Sequence, residues 1–244
     1  EIHNPQSPRT FSPQELVSCV PNPHKCGGDG GCKGATVELA FNWAMERGLA
    51  DEREVPYEGF DGTCRKQRAS SVVEFGQSHD NELSIKELAS AGVHSASAGA
   101  PGLAFGMHGW EKLPENEYEP LLRAVYEQGP VGVAVAASRW NSYMGGIFNG
   151  CEKDAVIDHG VVLKGYGRDQ TLGQLFYLIQ NSWGSDWGEK GHIRILRRED
   201  DGERCGIDHK PEVGTACENG PKQVKVCGSC GILYDTVVPH FRRI

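Results

Sequence analysis

The chain has 244 residues and a formal net charge of −8, which is enough length for one large domain or two small ones with a sizeable core. Its basic residues are scattered, which argues against a nucleic-acid partner. The longest smooth apolar run, residues 131–137, is far too short to span a bilayer, so no membrane span is expected.

Two helices are predicted in the first part of the chain. A capping-box pattern at residues 12–15, in which Glu15 can return to the cap, predicts a short helix that ends near Cys19. The Gly-rich stretch 21–34 follows as irregular backbone, and it lacks the Gly-Lys-Ser/Thr ending of a phosphate loop. A stronger helix is predicted over residues 36–47, where apolar side chains recur on one face.

The pattern weakens over residues 66–106, which we interpret as a flexible surface insertion with a linker-like stretch at 91–102. A second cap pattern at Asn116 predicts a helix to Gln128. Strands are then predicted at 131–137, 160–166, 174–180, 191–196 and 231–238. We therefore expect a helical domain at 1–107 and an antiparallel β domain at 108–244.

Nine cysteines, many of them in loop-like sequence, indicate disulfide bonds made in an oxidising compartment. Because nine is odd, at least one thiol is free or pairs outside this sequence. A zinc site is the alternative for the last cysteines and His209. Their one Cys-x-x-Cys spacing, Cys227 to Cys230, lacks a second close pair, so disulfides are favoured and no metal is expected.

Two polar side chains at strand ends form a candidate catalytic pair. His159 stands at the entrance of one apolar strand, and Asn181 follows the end of the next. An amide can hydrogen-bond one imidazole nitrogen and leave the other free to activate a nucleophile. A lone histidine in such a place is more often a satisfied core residue, so the surrounding motifs must decide between the two interpretations.

Those motifs extend well beyond the pair. They are Asp158-His159-Gly160-Val161-Val162-Leu163-Lys164-Gly165-Tyr166-Gly167, Asn181-Ser182-Trp183-Gly184, Trp187-Gly188-Glu189-Lys190-Gly191, and the stretches at 12–19, 31–34, 129–131, 145–148 and 205–207. Together, and in this order, they resemble papain-family cysteine peptidases of the cathepsin L type. The resemblance implies a papain-like α+β fold, with a cleft between a helical left domain and an antiparallel β-barrel right domain.

The same resemblance implies a cysteine-type peptidase that hydrolyses peptide bonds without a cofactor, in a lysosome or vacuole or outside the cell. His159 would be the general base, Asn181 would orient its ring, Trp183 would shield their hydrogen bond, and Asp158 would support them. A thiol with an ordinary pKa near ~8.5 becomes a nucleophilic thiolate when an imidazolium lies beside it.

A peptide or protein substrate would bind along the cleft. The family pairs substrate backbone with a Gly-Gly, and this chain has Gly34-Ala35 at the matching place. The resemblance further implies an apolar pocket lined by Thr36, Val37, Ala134 and Ile157.

The family's nucleophilic cysteine and oxyanion glutamine belong to a segment N-terminal to the matched residues. We therefore expect a light fragment that carries this cysteine as a partner of the chain. The alternative is a non-catalytic papain-fold scaffold or a subunit of a larger assembly. Cys230 could instead be the nucleophile of a permuted enzyme, but a strand rather than a helix is predicted after it, and Gly231 replaces the family's aromatic residue.

Three disulfides are implied by the resemblance: Cys19 with Cys64, Cys151 with Cys205, and Cys32 with the N-terminal segment. Cys217 is expected to join Cys227 or Cys230, and the partner of Cys26 is left open.

Overall fold

The computed structural model describes residues 9–64, 93–97 and 99–241 of the chain. These residues contain three α-helices and ten strands. The helices are α1 (Pro13–Cys19), α2 (Val37–Arg47) and α3 (Tyr118–Glu127). The strands are β1 (Val93–Ser95), β2 (Met107–Lys112), β3 (Val131–Val135), β4 (Ile147–Phe148), β5 (His159–Arg168), β6 (Leu175–Gln180), β7 (His192–Arg197), β8 (Cys205–Asp208), β9 (Val224–Cys227) and β10 (Thr236–Phe241). Short helices combined with a large sheet confirm the predicted α+β class.

One large sheet forms the centre of the molecule. Its strand order is β1-β2-β10-β3-β5-β6-β7-β4, and neighbours are antiparallel except for β4 and β7. Strands β8 and β9 form a separate two-stranded sheet. Inward-facing residues such as Val133, Val135 and Leu163 are fully buried, because alternate side chains of a strand share one face. The core therefore lies against β3 and β5.

Helix α1 begins as its cap predicts. Ser12 Oγ accepts a hydrogen bond from the Glu15 N–H at 3.0 Å, and Pro13 occupies the first turn. The Glu15 carboxylate reaches further than a capping box requires, because it accepts a hydrogen bond from the Ala50 N–H at 2.5 Å. This bond fastens α1 to the segment that follows α2.

Helix α2 packs one face on the sheet. Ala44 lies in a buried cluster with Trp110 of β2 and Val237 of β10. At the edge of that cluster, Asn42 Oδ1 accepts a hydrogen bond from the Trp110 indole at 2.8 Å. Gly48 ends the helix with a φ of 76°, as predicted.

Asn116 does not cap α3, although the helix itself is confirmed. The cap position is Glu117, which makes no side-chain cap bond. The Asn116 amide accepts a hydrogen bond from the Cys227 N–H at 2.8 Å and donates one to the Lys225 carbonyl at 3.0 Å. It therefore joins the start of α3 to β9.

Four of the five predicted strands are confirmed to within a few residues, as β3, β5, β6 and β7. The fifth prediction, 231–238, is wrong in its first half. Residues Ser229–Gly231 form a 3-10 turn, and only Thr236–Phe241 is extended. Strands β8 and β9 were not predicted, because each has only four residues and alternation is too short there to mark a strand.

Regular structure is present in the described part of residues 91–102, the stretch interpreted as linker, and its flexibility stays a prediction. Val93–Ser95 pairs with β2 as an edge strand, and Pro101–Phe105 forms a 3-10 helix. The His94 ring stacks on Trp110 with 3.9 Å between centroids, which gives a small polar segment an anchor in the core. Residues 65–92 of the predicted insertion lie outside the described part. The domain division at residue 107 stays a prediction.

Four disulfides are present, and only Cys19–Cys64 agrees with the predicted pairs. The others are Cys26–Cys217, Cys151–Cys230 and Cys205–Cys227. The predicted Cys151–Cys205 bond is therefore wrong, as is the pairing of Cys217 with Cys227 or Cys230. The reason is local. Strands β8 and β9 place Cys205 directly opposite Cys227, and the unpredicted turn at Cys230 leaves that residue for Cys151.

The same disulfides exclude the zinc and permuted-enzyme alternatives. Cys205, Cys217, Cys227 and Cys230 are all disulfide-bonded, so they have no thiolate to bind zinc, and Cys230 has none to act as a nucleophile. Within residues 9–64, 93–97 and 99–241, no three His, Cys, Asp or Glu side chains are grouped so that they could hold a metal ion. Over the same ranges, no helix has the length and apolar character needed to cross a membrane.

Candidate active site

His159 and Asn181 meet at one end of the large sheet. His159 opens β5, and Asn181 follows the last residue of β6. His159 Nε2 and Asn181 Oδ1 are 2.8 Å apart, so a ring that carries its proton on Nε2 donates to the amide oxygen. Asn181 is itself held by its backbone N–H, which donates to the Gly191 carbonyl at 2.9 Å. The second ring nitrogen, Nδ1, remains for another reactant.

Three tryptophans surround this hydrogen bond. The Trp183 ring lies 5.3 Å from the His159 ring at a tilt of 32°, and the buried Trp140 meets the same imidazole edge-on at 6.4 Å. Trp187 packs against both indoles. Asn181 is 8% exposed under this cover. Because Asn181 is nearly buried, water competes less for the hydrogen bond between His159 and Asn181 than it would in solvent.

Asp158 braces the neighbouring backbone rather than the imidazole. Its carboxylate accepts a hydrogen bond from the Ala137 N–H at 2.8 Å, and its own N–H donates to the Val135 carbonyl at 3.1 Å. Val135 also lies opposite His159 in the register of β3 and β5. Asp158 thus locks the start of β5 onto the end of β3.

A family model and several known proteins resemble this chain. Residues 1–215 match the family model described as papain family cysteine protease. The chain belongs to the papain family. Among its curated relatives, the KDEL-tailed cysteine endopeptidase CEP2 of Arabidopsis thaliana is 34% identical over 203 residues, which cover 81% of this chain and 45% of that protein. Cathepsin L of Sarcophaga peregrina is 33% identical over 202 residues, 81% of this chain and 48% of that protein.

The chain thus spans about half the length of the curated papain-family relatives that it matches. Solved structures extend the likeness to the whole fold. The Carica candamarcensis cysteine protease CMS1MS2, in complex with E-64, has a TM-score of 0.63 and 26% identity over 99% of this chain and 83% of that chain. The proform of the ragweed pollen cysteine protease Amb a 11 has a TM-score of 0.64 and 25% identity, over 98% and 54% respectively. The papain-like fold is therefore confirmed.

The papain-family loop that carries Trp183 is held by an ion-pair network that the sequence analysis did not identify. Glu189 accepts hydrogen bonds from two Arg194 nitrogens at 2.7 and 2.8 Å and from the Gly146 N–H at 2.9 Å. Arg194 also binds Asp169 at 2.7 Å. These bonds, with Arg194 as the main cause, hold the pKa of Glu189 below its usual range. Glu189 lies in the quoted Trp-Gly-Glu motif, but spacing alone does not reveal its partner.

The residues expected to bind substrate are only partly brought together. Val37 lies over β3 and β5, since a Cβ added at Gly160 would be 3.6 Å from its Cγ2 atom. Ala134 stands opposite Gly160 in the register and shares a buried cluster with Ile157. Ile157 is fully buried, so it can back an apolar pocket but does not line its surface.

The remaining predicted substrate residues lie in and after the Gly-rich loop. Thr36 is buried and precedes α2 as its cap residue, while Ala35 is exposed. The Gly34 carbonyl already accepts a hydrogen bond from the Gly30 N–H at 2.8 Å. Strand-like pairing with a peptide would therefore fall to the backbone of Ala35.

All nine cysteines fall within the described residues. Eight form disulfides, and Cys32 is free and exposed. Local desolvation and the carboxylate of Asp61 raise the pKa of the Cys32 thiol, which disfavours the thiolate. Asp61 also accepts a hydrogen bond from the Cys32 N–H at 2.6 Å.

Proposed function

We propose that this chain provides the histidine–asparagine half of a thiol peptidase site, and that the complete protein hydrolyses peptide bonds in peptide or protein substrates. The observation that carries the proposal is the 2.8 Å bond between His159 and Asn181 beneath Trp183. Membership of the papain family and the names of the curated relatives support the same reaction class. A lysosome, a vacuole or the extracellular space would suit a chain with four disulfides.

In this mechanism His159 takes the proton of a cysteine thiol through Nδ1, while Asn181 holds Nε2. The thiolate attacks the carbonyl carbon of the substrate, and the imidazolium then returns its proton to the departing amine. Water subsequently hydrolyses the thioester, again with His159 as the base. Asn181 contributes by fixing the ring plane, so that the same imidazole serves both proton transfers.

The thiolate must come from outside the described cysteines, because eight are oxidised and the pKa of Cys32 is raised. We therefore assign it to an N-terminal light fragment joined to Cys32 by a disulfide. Substrate would lie along Gly34 and Ala35, with an apolar side chain between Val37 and Ala134. Thr36 and Ile157 would support this pocket from behind.

Intact mass spectrometry of the native protein tests the fragment and the reaction separately. Reduction should release a second peptide, and a thiol-directed epoxide should label one cysteine on that peptide. As a matched control, a His159→Ala variant should release the same peptide but lose the labelling. Release of a peptide without labelling would favour a non-catalytic papain-fold scaffold. The absence of both the released peptide and the labelling would overturn the proposal.

A further inference from the structure

A cavity of about 310 Å³ opens beside the unpredicted turn at Cys230, a volume at the lower end of ordinary small-molecule sites. It contains neither His159 nor Asn181. Both sulfur-bearing residues of the Cys151–Cys230 disulfide line its wall. We propose that this cavity is a thiol–disulfide exchange site, which binds a small thiol of net negative charge and exchanges it with Cys151.

The charges of the cavity select the ligand. Its lining includes three basic side chains, Lys153, Arg198 and Arg204, and two acidic ones, Glu152 and Glu203. Arg204 is paired with Asp200 and Glu152 with Arg139, which leaves the positive charges of Lys153 and Arg198 against the negative charge of Glu203. A thiol peptide that carries two carboxylates and one ammonium group matches both the mixture of charges and the balance. Glutathione is the simplest probe with this pattern.

Arg198 is placed to hold a carboxylate next to the disulfide. Its guanidinium donates to Ser229 Oγ at 3.2 Å and to Asn149 Oδ1 at 2.9 Å, both of which are uncharged. Ser229 immediately precedes Cys230, so this hydrogen bond holds the guanidinium on the same cavity wall as the disulfide. Positive charge beside a disulfide favours both the incoming thiolate and the thiolate that departs.

The two sulfurs differ in access. Cys151 is half-buried, whereas Cys230 is only 2% exposed. The backbone of Cys230 also has a φ of 58°, which residues other than glycine rarely adopt. The incoming thiolate therefore attacks Cys151 Sγ. A sulfur–sulfur bond forms there, the bond to Cys230 breaks, and its electron pair leaves on Cys230 Sγ. That sulfur takes up the proton which the small thiol lost on ionisation, so no oxidant or reductant is consumed.

The test uses the complete protein after its free thiols have been blocked with N-ethylmaleimide, so that Cys32 keeps its partner and only disulfides can react. Glutathione and cysteamine, a cationic thiol, are compared at equal thiolate concentration, with acid quenching and peptide mapping of mixed disulfides. At low salt we expect glutathione to modify Cys151 about threefold faster than cysteamine, and added salt should narrow the gap. Equal rates at low salt, or attack on Cys205–Cys227 before Cys151–Cys230, would overturn the proposal.

Two charge variants locate the effect. Arg198→Gln and Lys153→Gln should each slow glutathione exchange at Cys151 about threefold. Exchange at the exposed Cys19–Cys64 bond serves as the internal reference and should not change. Arg168→Gln, whose guanidinium binds the Gly173 carbonyl outside the cavity, is the matched control. If Arg198→Gln does not fold, the change at the exposed Lys153 tests the proposal alone. An unchanged rate of glutathione exchange in Lys153→Gln would then contradict the proposed exchange site.

Discussion

Asn181 is the residue on which the proposed chemistry depends most directly. In the complete protein, Asn181→Ala leaves the imidazole without the amide oxygen 2.8 Å from Nε2. Because orientation is lost while substrate contacts remain, we expect kcat to fall at least about tenfold with KM nearly unchanged. Steady-state kinetics on a peptide substrate measures both constants.

The control for this prediction is Gln180→Ala, an exposed neighbour at the end of β6. It should leave kcat close to its original value. A kcat that is unchanged in Asn181→Ala would show that the packing of Trp183 and Trp140 alone orients His159.

The reactivity of Cys32 provides a second test at the residue scale, made on the 244-residue chain without the proposed light fragment, where this thiol is free. Desolvation and Asp61 raise the pKa of this thiol, so less thiolate is present at any pH near neutrality. Asp61→Asn removes the negative charge and should shift the pH profile of Cys32 alkylation to lower pH, with faster alkylation at neutral pH. Iodoacetamide labelling followed by mass spectrometry gives the profile. Asp29→Asn, an exposed change in the same loop, should leave the profile in place.

At the scale of elements, two glycines lie in the contact between α2 and the sheet, and they differ in the space available for an added methyl group. A Cβ added at Gly132 would lie 3.0 Å from Val37 Cγ1, whereas one at Gly160 would lie 3.6 Å from Val37 Cγ2. Gly132→Ala should therefore push α2 from β3 and lower the free energy of unfolding by about 1–3 kcal/mol. Gly160→Ala, the matched control, makes only ordinary contact and should cost much less. Urea denaturation of both variants distinguishes them, and equal losses would contradict the argument.

The same two elements share a buried ion cluster. Lys112 Nζ of β2 lies 2.9 Å from Asp235, 3.7 Å from Glu38 of α2 and 3.5 Å from the more exposed Glu115. Burial and the charge of Asp235 raise the pKa of Glu38 to about 7, against the opposing effect of Lys112. Burial lowers the pKa of Lys112, but Asp235 and Glu38 outweigh it and raise that pKa overall. Two carboxylates thus compete for one buried ammonium.

This competition predicts how stability depends on pH. The folded pKa of Glu38 is above its ordinary value of 4.5, so its contribution is fully present below about 4.5 and is lost as pH rises through about 7. The loss could reach roughly 3 kcal/mol for such a shift. Thermal unfolding between pH 4 and 8 should show the decline, and Glu38→Gln should remove it. Glu54→Gln, a change in an exposed loop, should leave the decline in stability with pH unchanged. A decline that survives in Glu38→Gln would show that Glu38 is not its cause.

The elements also show what sequence reasoning can and cannot reach. His159 begins one strand and Asn181 follows the next, and both strands have clear apolar patterns within long motifs, so the placement of these residues could be predicted. Trp140 could not, because its edge contact with His159 depends on how a loop after β3 folds back. Lys112 reads as a surface lysine in the sequence, and only the pairing of β2 with β10 places it beside Asp235.

At the scale of the whole molecule, disulfide pairing was the property that sequence reasoning predicted least well. Cys19–Cys64 spans 45 residues, and family resemblance was enough to predict it. Cys205–Cys227 spans only 22 residues but depends on the register of β8 with β9, two four-residue strands that the sequence did not predict. Once Cys227 is taken, Cys230 pairs with Cys151, so these two strands altered two bonds. The pattern within a segment does not show which other segment it pairs with.

The bond between Cys26 and Cys217 connects the Gly-rich loop before α2 to the segment after β8, across 191 residues. Two backbone bonds accompany it, from the Gly27 N–H to the Ala216 carbonyl at 3.0 Å and from the Glu218 N–H to the His24 carbonyl at 2.8 Å. A closed loop of this length restricts the unfolded chain far more than the 22-residue loop of Cys205–Cys227.

Loop entropy therefore predicts which of the two crosslinks contributes more to the free energy of unfolding. Removing Cys26–Cys217 by a double change to alanine should lower the free energy of unfolding by about 5 kcal/mol, against about 3 kcal/mol for Cys205–Cys227. Each bond joins one buried and one half-buried cysteine, so the side-chain packing lost is similar in the two variants. Guanidinium denaturation with the remaining disulfides intact measures both losses. A larger loss for Cys205–Cys227 would mean that packing of β8 on β9, rather than restriction of the unfolded chain, determines what these crosslinks contribute.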